Sequence, residues 1–231
     1  MARRLLVLLG LLGVVSLGCG KSNQPAAASA SPASAADEPA AASVAAAPPV
    51  AVQPPPAPEP PADTTAVIHT NHGDITLKLY QAKAPRTVEN FLRNYAERGY
   101  YDETIFHHVE PGQMLIGGAY TATLEQKPPR SAIYNESRNG VSNRRGTIAM
   151  IRQPDAPHSA TSEFFINLAD NPHLDCPEAE GEETFGYCVF GEVTSGMEVV
   201  ERIAHLQTTA QGDFPSVPSP IARIESVERL R

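Results

Sequence analysis

Residues 21–65 set the strongest limit on what this chain can fold into. The segment consists almost entirely of alanine, proline and serine, and it holds eleven of the 22 prolines of the 231-residue chain, from Pro25 to Pro61. Because it has almost no aromatic or branched apolar residues, it cannot bury enough surface to offset the entropy of ordering it. We therefore predict a disordered tether over residues 19–65 and one folded domain over residues 66–231.

The first 18 residues have the pattern of an export signal. Arg3 and Arg4 give a positive start, residues 5–17 form an apolar run, and Gly18 is a small residue directly before Cys19. The run is too short to span a bilayer comfortably. An ordinary secretory signal and a single membrane anchor are the alternative interpretations.

Residues 15–20 resemble the bacterial lipobox, although Ser16 stands where leucine is commoner. In that pattern the cysteine is acylated and becomes the first residue of the mature protein. The resemblance therefore implies a signal peptide over residues 1–18, lipidation at Cys19 and a lipid anchor in the periplasm or cell envelope. Gly20 is not the aspartate associated with inner-membrane retention, which favours the outer membrane.

The charge of the chain argues against nucleic acid as a partner. The sequence has 18 basic and 26 acidic residues, a formal net charge of -8 at pH 7. Loss of Arg3 and Arg4 with the signal would leave 16 basic against 26 acidic residues, a net charge of -10. A surface with this excess of acid repels a polyanion.

The pattern after residue 66 predicts many short strands with two helices between them. Residues 67–70 and 75–79 read as a hairpin, and further strands are expected at 104–109, 114–116, 146–151, 163–168, 187–193 and 221–227. Apolar residues at helical spacing predict one helix from Pro85 to a stop at Gly99 and a second near residue 196. Such a pattern favours a closed or sandwiched β architecture.

Several motifs, in order and in spacing, resemble those of bacterial cyclophilins over about residues 66–229. They stand at residues 69–75, 104–107, 111–112, 117–118, 145–147, 149–150, 156–161, 164–167 and 186–190. The resemblance implies a mainly β fold, an eight-stranded antiparallel barrel capped by two α-helices. It also implies a proline-binding groove on the outer face of the barrel, peptidyl-prolyl cis-trans isomerisation of unfolded or flexible polypeptides, no cofactor, and a monomer.

Carried over position by position, the resemblance predicts which residues form that groove. Phe106, Met114, Phe165 and Leu174 correspond to the apolar lining, and Tyr187 to the edge of the pocket. The remaining predicted substrate-binding residues are Gln113, Ile116, Ile151, Arg152 and His173.

The clearest departure from the family is His108, which stands where cyclophilins carry the arginine that donates to the prolyl nitrogen. An imidazole is shorter than a guanidinium, and its ordinary pKa is about 6.5. Glu163 replaces a glutamine that is close to this position in the family. The sequence-based hypothesis is that His108 and Glu163 form a replacement ion pair that keeps a donor in the groove.

Four substitutions in one groove, at His108, Gln113, Ile116 and Glu163, leave a second function open. The alternative is a module that binds proline segments without accelerating rotation.

The other reactive side chains give weaker signals. Neighbouring residues of a strand point to opposite faces, so His107 and His108 are not expected to chelate one ion, and no metal site is predicted. Cys176 and Cys188 could pair in an oxidising compartment, although bacterial cyclophilins commonly carry a solitary cysteine at the position of Cys188.

Overall fold

The computed structural model describes residues 63–176 and 185–230. The predicted signal peptide, Cys19 and nearly all of the predicted tether lie outside the described residues. Residues 177–184, which include most of an acidic loop, lie outside them too.

The described residues form ten strands, two α-helices and short helical turns. The strands are β1 (Thr64–Thr70), β2 (Gly73–Leu79), β3 (Thr104–Glu110), β4 (Met114–Thr121), β5 (Thr147–Met150), β6 (Phe164–Asn167), β7 (Val189–Ser195), β8 (Gln207–Gln211), β9 (Phe214–Ser219) and β10 (Arg223–Arg229). The α-helices are α1 (Pro85–Glu89) and α2 (Met197–Ala204). A π-helical segment (Asn90–Tyr95) and a 3-10 turn (Ala96–Arg98) continue α1, and another 3-10 turn covers Pro172–Leu174.

Eight strands close into a barrel in the order β1-β10-β3-β4-β6-β5-β7-β2, and every neighbouring pair is antiparallel. This confirms the predicted eight-stranded antiparallel barrel with two helices. Closure pairs every strand on both sides, so the barrel has no open edge.

The first hairpin begins earlier than the sequence predicted. Strand β1 starts at Thr64, so two residues assigned to the tether already pair with β2. The following helical segment starts with Pro85, whose missing N–H is no loss in a first turn. It stops at Gly99, which has a φ of 63°. Start and stop therefore agree with the sequence prediction.

The interior of the barrel is filled by the inward residues of the strands and by the helices. Leu115, Ile148, Phe164 and Ile166 belong to this interior core, and Phe91 brings the helical segment against it. The ring of Phe91 lies 5.8 Å from that of Phe164, edge to face. Because side chains alternate along a strand, the residues between these inward positions point outward.

A small hairpin lies outside the barrel sheet. Strands β8 and β9 pair with each other, and β9 packs beside β3. Phe214 from this hairpin places its ring 4.8 Å from that of Tyr120. The hairpin thus adds an aromatic ring to the outer surface near β3 and β4.

Candidate functional site

One row of residues crosses the outer face of five neighbouring strands. His108, Ile116, Phe165, Ala149 and Val189 are successive Cα partners on β3, β4, β6, β5 and β7. Directly paired residues on one face have Cβ atoms about 4.5–5.5 Å apart, so these side chains are neighbours. The row is apolar except at its His108 end.

The apolar part of this row is the centre of a second hydrophobic cluster, separate from the interior core. We call it the outer apolar cluster: Ala149, Phe165 and Val189, which are buried, and the partly exposed Tyr80, Met114, Ile116, Val141, Ile151, Leu174 and Tyr187. Tyr187 packs edge to face on Phe165, with the ring centroids 5.6 Å apart. The structure therefore brings together six of the residues predicted to line the groove: Met114, Ile116, Ile151, Phe165, Leu174 and Tyr187.

Phe106 is a correction, because the structure places it inside the barrel. Its side chain is fully buried in the interior core, edge to face on Phe164 at 6.2 Å between ring centroids. The cause is a β-bulge: two steps along β3, from Phe106 to His108, match one step along β4, from Gly117 to Ile116. One extra residue reverses the alternation, so Phe106 and His108 do not share a face.

The predicted ion pair between His108 and Glu163 is also wrong. His108 Nε2 lies 3.4 Å from Glu110 Oε2, and 22% of its side chain is exposed. The carboxylate of Glu163 instead meets His107, with 2.9 Å between Oε1 and Nε2. The extra residue of the bulge is His107. Its side chain points to the outer face, whereas simple alternation with His108 would place it on the inner face.

A glycine gives Glu163 access to His107 across the intervening strand. Gly117 pairs with Phe164, so the next residue, Gly118, lies beside Glu163. A Cβ at Gly118 would lie 2.6 Å from Phe164 Cε1, in the interior, so this position places no side chain on the outer face. The Glu163 carboxylate can therefore reach over β4 to the imidazole on β3.

Arg152 holds the segment that carries Tyr187. Its guanidinium donates to the carbonyls of Phe185 and Gly186 and to those of Gln153 and Pro154. The guanidinium carbon lies 5.0 Å from the centre of the Tyr187 ring. These contacts position one wall of the outer apolar cluster, while a contact of Arg152 with substrate stays a prediction.

Asp175 fixes the position of the neighbouring Leu174, which also belongs to the outer apolar cluster. Its carboxylate accepts hydrogen bonds from Ser142 Oγ, from Asn143 N at 2.6 Å and from Asn143 Nδ2 at 2.8 Å. Burial alone would raise the pKa of this carboxyl, but these hydrogen bonds and the nearby Arg144 lower it below its ordinary value. The neighbouring Leu174 accepts a hydrogen bond at its carbonyl from Tyr187 N at 2.8 Å. Asp175 was not among the predicted residues, because a lone acidic residue in a loop gives no signal of its partners.

Two further predicted residues lie at the rim. Gln113 is exposed in the β3–β4 turn, and its carbonyl accepts hydrogen bonds from Leu168 N at 2.8 Å and Asn171 Nδ2 at 3.0 Å. His173 is exposed in the 3-10 turn before Leu174. Neither side chain belongs to the outer apolar cluster.

The cysteines of the domain are not joined in the structure. No disulfide bond joins Cys176 to Cys188, so the possible bridge is not formed. Cys188 is buried, its Sγ lies 3.5 Å from Thr87 Oγ1, and burial raises its thiol pKa to about 12. Cys188 stands directly before β7 and belongs to the interior core, not to the outer apolar cluster.

Two features are absent from the part of the chain that the structure describes. Within residues 63–176 and 185–230, histidine, cysteine and acidic side chains form no group of three or more suited to a metal ion. In the same ranges no helix has the length and hydrophobicity needed to cross a membrane.

Comparison with known proteins shows which family model and which relatives the chain is similar to. Residues 65–228 match the family model described as cyclophilin type peptidyl-prolyl cis-trans isomerase/CLD. The chain is 48% identical over 159 residues to peptidyl-prolyl cis-trans isomerase B of Escherichia coli (strain K12), covering 69% of this chain and 95% of that protein. It is 43% identical over 168 residues to peptidyl-prolyl cis-trans isomerase A of Dickeya dadantii (strain 3937), covering 73% and 85%.

Solved structures agree on the fold. A crystal structure of a cyclophilin type peptidyl-prolyl cis-trans isomerase from Cryptosporidium parvum superimposes with a TM-score of 0.61 at 24% identity, covering 73% of this chain and 98% of that one. A second structure of the same protein, in the presence of the dipeptide Ala-Pro, gives a TM-score of 0.60 at 24% identity and covers 72% and 99%.

Proposed function

The chain belongs to the cyclophilin-type peptidyl-prolyl cis-trans isomerase family, and we propose that its outer apolar cluster receives the proline ring of exported polypeptides while His108 donates to the prolyl nitrogen. The observation that carries the proposal is the row from His108 to Val189, which puts one polar donor at the end of an apolar surface. The Ala-Pro dipeptide used with the Cryptosporidium parvum protein supports a proline ligand for this fold.

The reaction needs rotation about one amide bond, and no bond is made or broken. Resonance between nitrogen and carbonyl gives a barrier of about 20 kcal/mol. Apolar side chains such as Met114 and Phe165 would desolvate the amide, which weakens that resonance. A hydrogen bond to the prolyl nitrogen would localise its lone pair and stabilise the twisted state.

His108 is expected to supply this hydrogen bond less well than an arginine would. A guanidinium is always charged and offers a rigid fork of donors, whereas an imidazole offers one or two. At 3.4 Å from His108 Nε2, the Glu110 carboxylate is too far away to hold the imidazole by a strong hydrogen bond. We therefore propose an active isomerase of reduced efficiency.

The location proposed for this activity is the cell envelope. The export signal, the lipobox-like Cys19 and the Ala/Pro-rich segment would give a domain anchored by lipid on a long tether. Clients would then be unfolded or flexible exported proteins with proline segments.

A second function is a proline-binding module without catalysis. It is favoured by Ile116, which stands next to His108 in the row at a position where cyclophilins commonly carry a glutamine, and which leaves His108 as the row's polar group. Both functions predict peptide binding to the outer apolar cluster. Only the enzyme predicts faster rotation.

A protease-coupled assay with a proline peptide separates the two functions. The chain from Gly20 onward leaves out the signal and the acylated cysteine. We expect turnover above background, lower turnover in His108→Ala, and about ten-fold higher turnover in His108→Arg, because about 1.4 kcal/mol of extra transition-state stabilisation gives that factor. His205→Arg, on the exposed end of α2, is the matched control and should not change the rate.

Background turnover together with measurable peptide binding would favour the binding module. Equal turnover in His108→Ala and the parent chain would show that His108 is not the donor.

A further inference from the structure

Glu163 is placed directly beside the outer apolar cluster. Ile151, a member of the cluster, donates its N–H to the Glu163 carbonyl at 2.9 Å. Glu163 is two residues before Phe165, so both point to the outer face. A polypeptide seated on Phe165 and Ile151 would therefore pass the Glu163 carboxylate.

The Glu163 carboxylate is accessible to a bound polypeptide. The Glu163 side chain is 27% exposed, and among the described residues its recorded ion-pair partner is His107 alone. His107 is 5% exposed at its side chain, and its Nδ1 is buried without a hydrogen-bond partner. The imidazole therefore contacts one carboxylate oxygen, Oε1, and the exposed part of the Glu163 side chain stays open to a substrate.

Aromatic rings pack on the imidazole that the Glu163 carboxylate meets. His107 packs edge to face on Tyr120, with 4.7 Å between ring centroids, and on Phe214, with 5.7 Å. Tyr120 and Phe214 are both partly exposed. Lys127, the lysine of the nearby loop, donates to the Asp102 carbonyl and forms no ion pair with Glu163. A carboxylate beside aromatic faces is a surface that suits an alkylammonium or guanidinium group.

From this arrangement we infer that Glu163, Tyr120 and Phe214 form a cation-selective subsite next to the outer apolar cluster, which selects proline segments carrying lysine or arginine. The inference rests on the proposed function, since it names the substrate class of the same site. Glu110, exposed beside His108, adds a second negative charge at this end of the row. Acidic proline segments should be disfavoured for the same reason.

The test uses peptides that differ in one residue. In the series Xaa-Ala-Pro-Phe and Ala-Xaa-Pro-Phe, Xaa is Lys, Gln or Glu, and both kcat/KM and the dissociation constant are measured. For the chain from Gly20 onward we expect the Lys peptide to exceed the Glu peptide about three- to five-fold at one position at least, as one partly screened charge pair allows. The ratio should fall with added salt.

Glu163→Gln should bring the Lys-to-Glu ratio close to one, whereas Glu228→Gln on β10 should leave it unchanged. A ratio near one in the parent chain would overturn the inference. So would an unchanged ratio in Glu163→Gln, because the selectivity would then come from net charge. If no peptide is isomerised but binding shows the Lys preference and Glu163→Gln removes it, the catalytic proposal fails and the subsite stands.

Discussion

The two faces of the barrel wall can be separated by changing two phenylalanines in the same way. Phe106 is 0% exposed in the interior core and Phe165 is 1% exposed in the outer apolar cluster. Each makes an edge-to-face ring contact, Phe106 with Phe164 at 6.2 Å and Phe165 with Tyr187 at 5.6 Å. Replacing either by leucine loses buried carbon, about 0.8 kcal/mol for each methylene-sized group, and a ring pair of about 0.5–1.5 kcal/mol.

We therefore expect Phe106→Leu and Phe165→Leu to lower the free energy of unfolding by similar amounts, about 1–3 kcal/mol. In a domain of this size each kcal/mol lowers Tm by about 2–4 °C. Peptide binding should distinguish the two variants. Phe165→Leu should raise the dissociation constant of a proline peptide about three- to ten-fold, because the proline ring loses apolar contact worth about 0.8 kcal/mol for each methylene-sized group.

Calorimetry gives Tm, and fluorescence anisotropy with a labelled proline peptide gives the dissociation constant. Phe106→Leu should bind this peptide as the parent chain does. If Phe106→Leu weakens binding as much as Phe165→Leu, then the separation into interior core and outer apolar cluster does not describe the ligand surface.

Two more predictions concern groups that lie beside or behind the outer apolar cluster. Asp175→Asn should lower the free energy of unfolding by about 1–2 kcal/mol at pH 7, because the carboxylate accepts charge-assisted hydrogen bonds. Because folding lowers the pKa of Asp175, its stabilising effect is fully present above the pKa of the unfolded chain, about 3.9, and is lost as the pH falls through the pKa of the folded chain. Urea unfolding at pH 3 should therefore show a smaller difference in stability between Asp175→Asn and the parent chain than unfolding at pH 7. Cys188, whose pKa burial raises to about 12, should resist a thiol reagent at pH 8 in the folded chain and react after denaturation, and peptide mapping without reductant should find no bridge to Cys176.

The barrel could be predicted from the sequence because its strands carry regular signals. Alternating residues in β1 and β2, apolar runs in β5 and β6, and Pro85 and Gly99 at the ends of the helical segment all depend on neighbours in the chain. The family motifs then identified six of the ten members of the outer apolar cluster. The hydrophobic pattern of a strand or helix is repeated over many residues, so one residue that departs from the pattern does not change the prediction.

The hairpin of β8 and β9 could not be predicted in this way. Nearly all of β8 is exposed, and β9 contains Pro215 and Pro218, which a strand pattern normally excludes. The hairpin is nevertheless close to the site, because Phe214 packs on His107. Its position depends on a tertiary contact that no short stretch of sequence encodes.

The bulge at His107 accounts for the observed positions of Phe106 and His107, which differ from what the family resemblance implied. Strict alternation would place Phe106 and His108 on one face of the strand. The bulge adds one residue to β3 relative to β4, and no special residue type in the sequence indicates its position. That residue turns Phe106 into the interior and brings His107 out to Glu163. Because Glu163 meets His107, His108 must act with Glu110 or alone, and the exposed part of the Glu163 carboxylate lies beside the outer apolar cluster. The replacement of a glutamine by Glu163 is then better explained by the choice of substrate than by repair of a missing arginine.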